Sequence, residues 1–356
     1  MEVRHLVLRG TNREIGAELA TMALERHGVA PAAGGDPLVT RARRRWYRRE
    51  WPAHFERMRG VADVHGLAVD DDSAELGLLA YLGAPPGCSV AWLPESKTLS
   101  RNYDFPTGTL TEILGGEAQP GELAMTARPY VVETHPTDGG PSCLFICAYE
   151  LLGGCIDGVN SEGLVVALLA IDEPVGGDPT LAPAVGLNEI QLLRFVLETC
   201  ATTAEAREAL LAAKYSYMFL PCHFLVADAG GDSFVFERTA NADHLIEGGG
   251  EVQVVTNHLL HGRPSLDDLP AEDGPSATYA RARRLTAAVA GRTGLSHEEI
   301  KAAHACVHRE DPASPSRTLW HGLYDAVDRT LEVSFYLGDD PAGGVRRSPY
   351  LSFWLQ

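Results

Sequence analysis

The sequence changes its pattern at Cys88, and this change limits the possible folds more than any other feature. Before Cys88 the apolar residues recur at helical spacing, and in residues 11–27 Glu14 fits a capping box on Thr11. After Cys88 short β-like runs dominate, and pairs of helical stretches interrupt them. Strand clusters separated by paired helices predict an α+β fold of layered sheets and helices. We therefore expect an N-terminal helical segment over residues 1–87 and a larger domain over residues 88–356.

The same periodicity places the individual elements. Helices are predicted over residues 11–27, 41–55, 73–82, 186–213, 277–290 and 296–305. Within 186–213, a second helix is predicted to begin at residue 203. Strands are predicted over residues 89–92, 123–132, 143–150, 164–171, 223–227, 233–237, 252–256, 318–324 and 330–336. The Gly- and Pro-containing stretches 173–183 and 262–275 are expected to be surface loops.

Charge and cysteine usage exclude several classes of protein. The formal net charge of −18 argues against a nucleic-acid partner, because phosphate repulsion would oppose binding. No apolar run approaches the ~20 residues that span a bilayer, and the N-terminus has no secretory pattern. The seven cysteines contain no CxxC pair, and a metal or redox site at Cys222 and His223 lacks a second ligand pair. We expect reduced thiols in a cytoplasmic protein, with no cofactor, metal or membrane partner.

The segment that carries chemistry is Gly87-Cys88, which precedes the sequence RNYD at residues 101–104. A β-like run, an ESK turn and a second run separate the two, so a hairpin would bring Arg101 and Asp104 beside Cys88. A cation beside a thiol favours the thiolate that attacks carbonyl groups. The Asp104 carboxylate could accept a hydrogen bond from an α-ammonium group at Cys88. Arg101 could hold the Asp104 carboxylate in place. By spacing alone, however, a cysteine after glycine is more often an ordinary buried thiol.

A thiol nucleophile needs a general base, and none of the thirteen histidines lies in a recognisable catalytic context. If the peptide bond before Cys88 is broken, the new α-amine supplies the base, with a pKa of about 7.7–8.0. Gly87 tolerates the strained backbone that an N→S acyl shift requires. Two alternatives stay open: a conventional Cys–His thiol hydrolase that never cleaves itself, and a catalytically silent binding module.

Further segments, taken in order, point to one family. The chain resembles the acyl-CoA:isopenicillin-N (penicillin) acyltransferase family of autoproteolytic cysteine enzymes, and more distantly the choloylglycine hydrolases. The RNYD and GVNSEGL segments are fairly specific in this order, whereas each alone would be weak. The matching segments are LRG and EIG at residues 8–16, GC at 87–88, RNYD at 101–104, GVNSEGL at 158–164, VTNH at 255–258, TYAR at 278–281, and TLW, YD and LEV between 318 and 333.

The resemblance implies a fold and a set of roles. The fold would be the four-layer αββα sandwich of N-terminal-nucleophile (Ntn) hydrolases, with residues 1–87 attached as an α-chain after cleavage between Gly87 and Cys88. Cys88 would attack an amide or thioester carbonyl and form an acyl-enzyme. Asn257, and the Asn160 region, would donate to the oxyanion. Arg101 and Asp104 would orient the new N-terminus, and Arg281 would complete the charge network. Without the resemblance, Asn160 and Asn257 could be turn residues, and Arg281 could lie on an exposed helix.

The implied partners are small molecules. The acyl donor would be an amide or a thioester of CoA or a carrier protein, in specialised metabolism, and water or an amine would accept the acyl group. The oligomeric state is left open. The basic stretch at residues 41–49, RARRRWYRR, has two interpretations. Its arginines form a solvated helix face that pairs with acidic residues, or they dock an anionic partner.

Overall fold

The computed structural model describes residues 1–80, 87–176, 185–215, 221–239, 242–263, 265–311 and 313–355. The predicted loop at 173–183 lies outside the described residues beyond position 176, as do the last two residues of the helix predicted at 73–82. The helices are α1 Asn12–His27, α2 Pro37–Glu50, α3 Pro52–His65, α4 Leu110–Ile113, α5 Glu189–Thr199, α6 Thr203–Ala212, α7 Thr278–Val289 and α8 His297–His304. The strands are β1 Arg4–Gly10, β2 Ala32–Ala33, β3 Ala74–Glu75, β4 Gly87–Leu93, β5 Thr98–Pro106, β6 Tyr130–Pro136, β7 Cys143–Cys147, β8 Asp157–Asn160, β9 Leu164–Ala170, β10 Cys222–Asp228, β11 Ser233–Arg238, β12 Asp243–Glu247, β13 Gln253–Val255, β14 Ser316–Asp325, β15 Thr330–Asp339, β16 Val345–Arg347 and β17 Leu351–Trp354.

Two large sheets organise the part of the chain that the structure describes. The first has eight strands in the order β1-β6-β7-β8-β9-β10-β11-β12, and the second has the order β13-β4-β5-β14-β15-β16, with β17 beside β15. Strand β4 of the second sheet contacts β9 of the first, so the two sheets meet face to face at these strands. Helices α5 and α6 contact the first sheet, whereas α7 and α8 contact the second. The α+β class predicted from the sequence is therefore confirmed.

The side-chain alternation of β4 and β5 assigns residues to the two faces of the second sheet. Cys88 lies opposite Tyr103, and both belong to the apolar core that extends to the first sheet. Ala91 belongs instead to a separate apolar cluster with Leu285 of α7. Successive residues of a strand point to opposite faces of its sheet. The even-numbered residues of β5 therefore lie on one face of the second sheet and the odd-numbered residues on the other. This parity decides which polar residues reach Cys88.

Several helix ends are specified locally, as expected. Helix α1 begins with a capping box in which the Thr11 amide donates to the Glu14 carboxylate at 2.7 Å. The segment from 41 to 55, however, is two helices rather than the predicted one. Pro52 lacks an N–H and disfavours helical backbone at the preceding Trp51, which adopts φ −135°. The chain therefore ends one helix and starts another at this point.

Two other predictions were wrong in their extent. The segment predicted as a helix from residue 73 contains the short strand β3 and no helix over its described residues. The strand predicted over 123–132 begins only at Tyr130, directly after Pro129, which has no N–H to donate to a ladder.

The N-terminal segment is more than helical. Strand β1 pairs in parallel with β6 and thereby forms an edge of the first sheet. Behind that sheet, Arg57 of α3 forms a buried ion pair with Glu198 of α5, with Nη2 to Oε2 at 2.6 Å. Trp51 donates its indole N–H to the same carboxylate at 2.8 Å. Residues 1–80 are thus integrated with the larger domain by a strand and by buried charge.

Among the described residues, no helix combines the length and the apolar character needed to cross a bilayer.

Candidate active site

Cys88 lies at the start of strand β4 and is fully buried between the two sheets. Its Sγ accepts a hydrogen bond from Nη2 of Arg101 at 2.9 Å. Burial raises the pKa of the Cys88 thiol, while the Arg101 charge and the backbone N–H of Asp104 oppose that rise. Desolvation prevails, so the intact chain holds a protonated thiol at neutral pH. The expected cation is present, but it does not by itself produce a thiolate.

Side chains also bind both backbone groups of Cys88. Its N–H donates to Oδ1 of Asn257 at 3.1 Å, and its carbonyl oxygen accepts from Nη1 of Arg281 at 2.6 Å. Nη2 of Arg281 donates to the same Oδ1 at 2.6 Å. Cys88, Asn257 and Arg281 therefore form a closed arrangement around the backbone of one residue. Arg281 is 4% exposed, so its alternative place on an exposed helix face is excluded.

The orientation of Asn257 follows from its partners. Oδ1 receives two donors, whereas Nδ2 donates to the carbonyl oxygen of Ala170 at 2.8 Å, so oxygen and nitrogen cannot be exchanged. The backbone is held on both sides: its N–H donates to Oγ1 of Thr278 at 2.8 Å, and its carbonyl accepts from the Asp172 N–H at 2.7 Å. Thr278 is the first residue of α7, the helix that carries Arg281. It thus links Asn257 to the start of that helix.

Arg101 does not hold the Asp104 carboxylate, contrary to the expectation. Its Nη1 pairs with Oδ2 of Asp157 at 2.5 Å, and both residues are fully buried. Further donations go to the carbonyl oxygens of Leu168 at 2.9 Å and Ile156 at 3.2 Å. Arg101 does not reach Asp104 because side chains alternate along a strand, and residues three apart in β5 face opposite sides of the sheet. Arg101 therefore faces the first sheet and the thiol, while Asp104 faces the helices.

Asp104 has its own partners on the outer face. Oδ1 accepts from Oγ1 of Thr318 at 2.6 Å. Oδ2 lies 3.7 Å from Arg281 and 3.8 Å from Arg309, beyond hydrogen-bonding distance. In the ladder, Asp104 lies opposite Gly87, the residue on the other side of the expected cleavage site. Its carboxylate is therefore beside the start of β4, as the sequence predicted, but Arg281 and Arg309 surround it instead of Arg101.

Asn160 is not brought into this group. Its Nδ2 donates to the carbonyl oxygens of Leu197 at 2.9 Å and Cys200 at 2.8 Å, at the end of α5. Its Oδ1 accepts the N–H groups of Glu162 at 3.0 Å and Leu164 at 2.9 Å. Both amide hydrogens and the oxygen are thus used to fix a turn and a helix end. The turn-residue alternative describes Asn160, and its expected role as an oxyanion donor has no support.

No histidine hydrogen-bonds the Cys88 thiol within the part of the chain that the structure covers. His258, next to Asn257, approaches Oγ1 of Thr256 at 3.0 Å. His223 contacts the carbonyl oxygen of His258 at 2.9 Å, and His261 contacts the Glu237 carboxylate. These rings organise the segment after Asn257 and do not face the sulfur.

Two residues near Cys88 were missed by sequence reasoning. Asp157 directly precedes the GVNSEGL segment and is the first residue of β8, and its place beside that motif was the available signal. Its carboxylate also accepts from the indole N–H of Trp320 at 3.3 Å and from the Tyr324 hydroxyl. Tyr149 adopts φ +76°, a left-handed conformation that is uncommon for a bulky residue, and its hydroxyl contacts that of Tyr103. Nothing in the local sequence indicates that conformation.

The basic stretch at 41–49 lies on α2 and is largely paired. Arg41 donates through Nε to Asp72 at 2.7 Å, and Arg44 donates to the same carboxylate at 2.5 Å. Arg43 pairs with Glu75 at 3.1 Å. These contacts favour the solvated helix face over a docking site for an anionic partner.

The comparisons with known proteins identify a family for this chain. The family model described as acyl-coenzyme A:6-aminopenicillanic acid acyl-transferase matches residues 92–340, more than half of the chain. This match confirms the resemblance carried by the RNYD and GVNSEGL segments. A comparison with curated protein sequences found no match.

Solved structures give more distant likenesses. Penicillin V acylase from Agrobacterium tumefaciens is 18% identical, with a TM-score of 0.47 over 70% of this chain and 82% of that one. A variant of the conjugated bile acid hydrolase from Clostridium perfringens is 12% identical, with a TM-score of 0.45 over 76% and 97%. The Caenorhabditis elegans ortholog of N-acylethanolamine-hydrolyzing acid amidase is 15% identical, with a TM-score of 0.43 over 67% and 92%. At these scores the likenesses carry no further argument.

Proposed function

The chain belongs to the acyl-coenzyme A:6-aminopenicillanic acid acyl-transferase family, and from this premise we propose that it is a cysteine amide hydrolase or acyltransferase working through an acyl-thioester on Cys88. The observation that carries the proposal is the number of side chains devoted to one cysteine. Asn257 binds its N–H, Arg281 binds its carbonyl oxygen and Arg101 binds its thiol. A cysteine that only fills the core needs none of these contacts.

The enzyme would first activate itself. Sγ of Cys88 attacks the carbonyl carbon of Gly87, the C–N bond to Cys88 breaks, and a thioester replaces the amide. Water then hydrolyses the thioester, which yields a Gly87 carboxylate, the free thiol and a new α-amine on Cys88. Because β4 begins at Gly87, cleavage would leave the nucleophile as the first residue of a strand held on both sides by β5 and β13.

The new α-amine would act as the general base. The raised pKa of the buried thiol means that a base is needed at neutral pH. The geometry favours the amine over a histidine, because among the described residues the thiol has no histidine partner. The amine nitrogen would keep its place near Oδ1 of Asn257, 3.1 Å from the peptide nitrogen in the uncleaved chain. Oδ2 of Asp104, beside the start of β4, is the carboxylate oxygen suited to its ammonium form.

One amide donor and a nearby positive charge would stabilise the oxyanion of the acylation step. Nδ2 of Asn257 carries two hydrogens, and the bond to Ala170 uses one of them. The second N–H would point to the developing charge, and removal of such a donor typically lowers kcat by about 10²–10³. Arg281 would keep Asn257 in place and supply positive charge beside the backbone of Cys88.

The cleaved protein would stay in one piece. Residues 1–87 would form an α-chain and residues 88–356 a β-chain, joined by the β1–β6 ladder and the buried Arg57–Glu198 pair. The helices that contact each sheet, and the contact between β4 and β9, support a four-layer αββα arrangement. The substrate would be a small amide, or an acyl thioester of CoA or a carrier protein, from specialised metabolism.

A trapping experiment tests this function. The purified protein is incubated with an acyl-CoA thioester or a chromogenic acyl anilide, quenched in acid, and mapped by peptide mass spectrometry. We expect the acyl mass on the peptide that contains Cys88, and amine acceptors then distinguish transfer from hydrolysis. Cys143→Ala, at another buried thiol that contacts the carbonyl oxygen of Leu197, is the matched control and should trap normally. An acyl group on another residue, or turnover by Cys88→Ala, would refute the assignment.

A further inference from the structure

Asn102, the second residue of the RNYD segment, has no role in the site described so far. It is fully buried, and neither its Oδ1 nor its Nδ2 has a hydrogen-bond partner among the residues that the structure describes. A buried amide with both polar atoms unpaired is strongly unfavourable, and such groups in folded proteins are usually satisfied by protein or by ordered water. Asn102 is therefore expected to bind something other than a protein side chain.

A second polar atom without a hydrogen-bond partner lies close by on the same face. Oδ2 of Asp104 is buried and has no hydrogen-bond partner among the described residues. Two residues along a strand are about 7 Å apart and point to the same side. A water molecule with two hydrogen bonds of about 2.8 Å spans about 5.6 Å, so it can bridge an amide and a carboxylate at this separation. Strand geometry alone thus brings the two unpaired groups within reach of one water.

A third unpaired atom comes from the segment after α8. Nε2 of His308 is buried and unpaired within the described part of the chain. The His308 ring lies 5.4 Å from the His321 ring, and His321 is the cross-strand neighbour of Asn102 on β14. Burial lowers the pKa of His308, so its ring is neutral and can either donate to or accept from water. Groups from β5 and from the segment beyond α8 therefore lie near one another on the same face of the second sheet.

The neighbouring side chains on this face are polar and already form hydrogen bonds with one another. Oγ of Ser100 contacts Nδ1 of His304 at 2.7 Å and Nε2 of His321 at 3.0 Å. Oγ of Ser89 contacts Nε2 of His304 at 3.1 Å. These four groups are bonded to one another and do not compete for Asn102. Small buried spaces with several polar partners hold water, whereas apolar ones stay dry.

We propose that Asn102, Asp104 and His308 form a buried water-binding site on the face of the second sheet opposite the Cys88 thiol. Nδ2 of Asn102 donates to the water, and the water donates to Oδ2 of Asp104. This makes Asn102 a positioning residue that holds the Asp104 carboxylate beside the start of β4. The positioning role rests on the proposed function, whereas the water site itself does not.

A high-resolution crystal structure of the protein tests the water site without any activity assay. We expect an ordered water within hydrogen-bonding distance of the Asn102 amide and of Oδ2 of Asp104. An Asn102 amide bonded only to protein groups, or a dry space beside it, overturns the proposal. An inactive protein that contains the water would refute the proposed function and leave this site standing.

Two substitutions test the positioning role. Asn102→Leu keeps the branched shape of the side chain but cannot bind the water, so kcat should fall by about tenfold with KM unchanged. Asn102→Ser keeps a hydroxyl and leaves room for a second water, so it should recover most of kcat. Equal losses in both variants, or an unchanged kcat in Asn102→Leu, overturn the positioning role. If Asn102→Leu does not fold, the proposal is decided by the presence of the water in the crystal structure and by the kcat of Asn102→Ser.

Discussion

The ion pair between Arg101 and Asp157 gives a quantitative prediction. Both residues are fully buried, and the guanidinium is 2.5 Å from the carboxylate. Arg101→Met leaves a buried carboxylate whose pKa burial already raises, and Asp157→Asn leaves a buried guanidinium. Removal of one partner of such a pair typically costs about 3–5 kcal/mol, so each substitution should lower the free energy of unfolding by that amount. In the double variant, the loss in free energy of unfolding should be about 2 kcal/mol smaller than the sum of the losses in the two single variants.

The assay is urea unfolding followed by fluorescence, with all variants made in Cys88→Ala so that every chain stays in one piece. Asp104→Asn is the matched control, because Asp104 lies three residues from Arg101 on the opposite face of the strand. The effects of Arg101→Met and Asp104→Asn on the free energy of unfolding should be additive to within about 0.5 kcal/mol. Strong coupling of Arg101 to Asp104, with none to Asp157, would refute the assignment of the buried pair.

Two further predictions concern positioning and pH. Thr278→Val removes the acceptor of the buried Asn257 N–H and should lower the free energy of unfolding by about 1–3 kcal/mol, whereas Thr278→Ser should not, as chemical denaturation will show. The carboxylates of Asp325 and Glu332 raise the pKa of His297 to about 9. Because the raised pKa stabilises the folded state at low pH, this contribution should be complete below about pH 6.5 and disappear as the pH rises through 9. Thermal unfolding of the protein and of His297→Gln between pH 6 and 10 should converge at the alkaline end, and parallel curves would contradict the assignment.

Cys88 and its nearest partners could be inferred from the sequence because they lie in local motifs. Cys88, Asn257 and Arg281 each belong to a short segment with a recognisable pattern, and the structure brings the three together. The hairpin between β4 and β5 was also predictable, since two β-like runs flank a short turn. Local patterns therefore sufficed for the residues that bind the backbone of Cys88.

The partners of Arg101 and Asp104 could not be inferred in the same way. Proximity in sequence suggested that the two residues pair, but strand alternation separates them. Asp157 reaches Arg101 from β8 of the other sheet, a contact that depends on how the sheets face each other. Asn160 was assigned by its motif, yet its contacts serve a turn and a helix end. Long-range packing decided each of these cases.

The most direct test of the account is the intact mass of the purified protein. We predict two fragments that break between Gly87 and Cys88 and that separate only under denaturing conditions. Cys88→Ala should give one uncleaved chain, and Cys143→Ala should still give two fragments. An active protein that remains a single chain of 356 residues would contradict the claim that the α-amine of Cys88 is the general base.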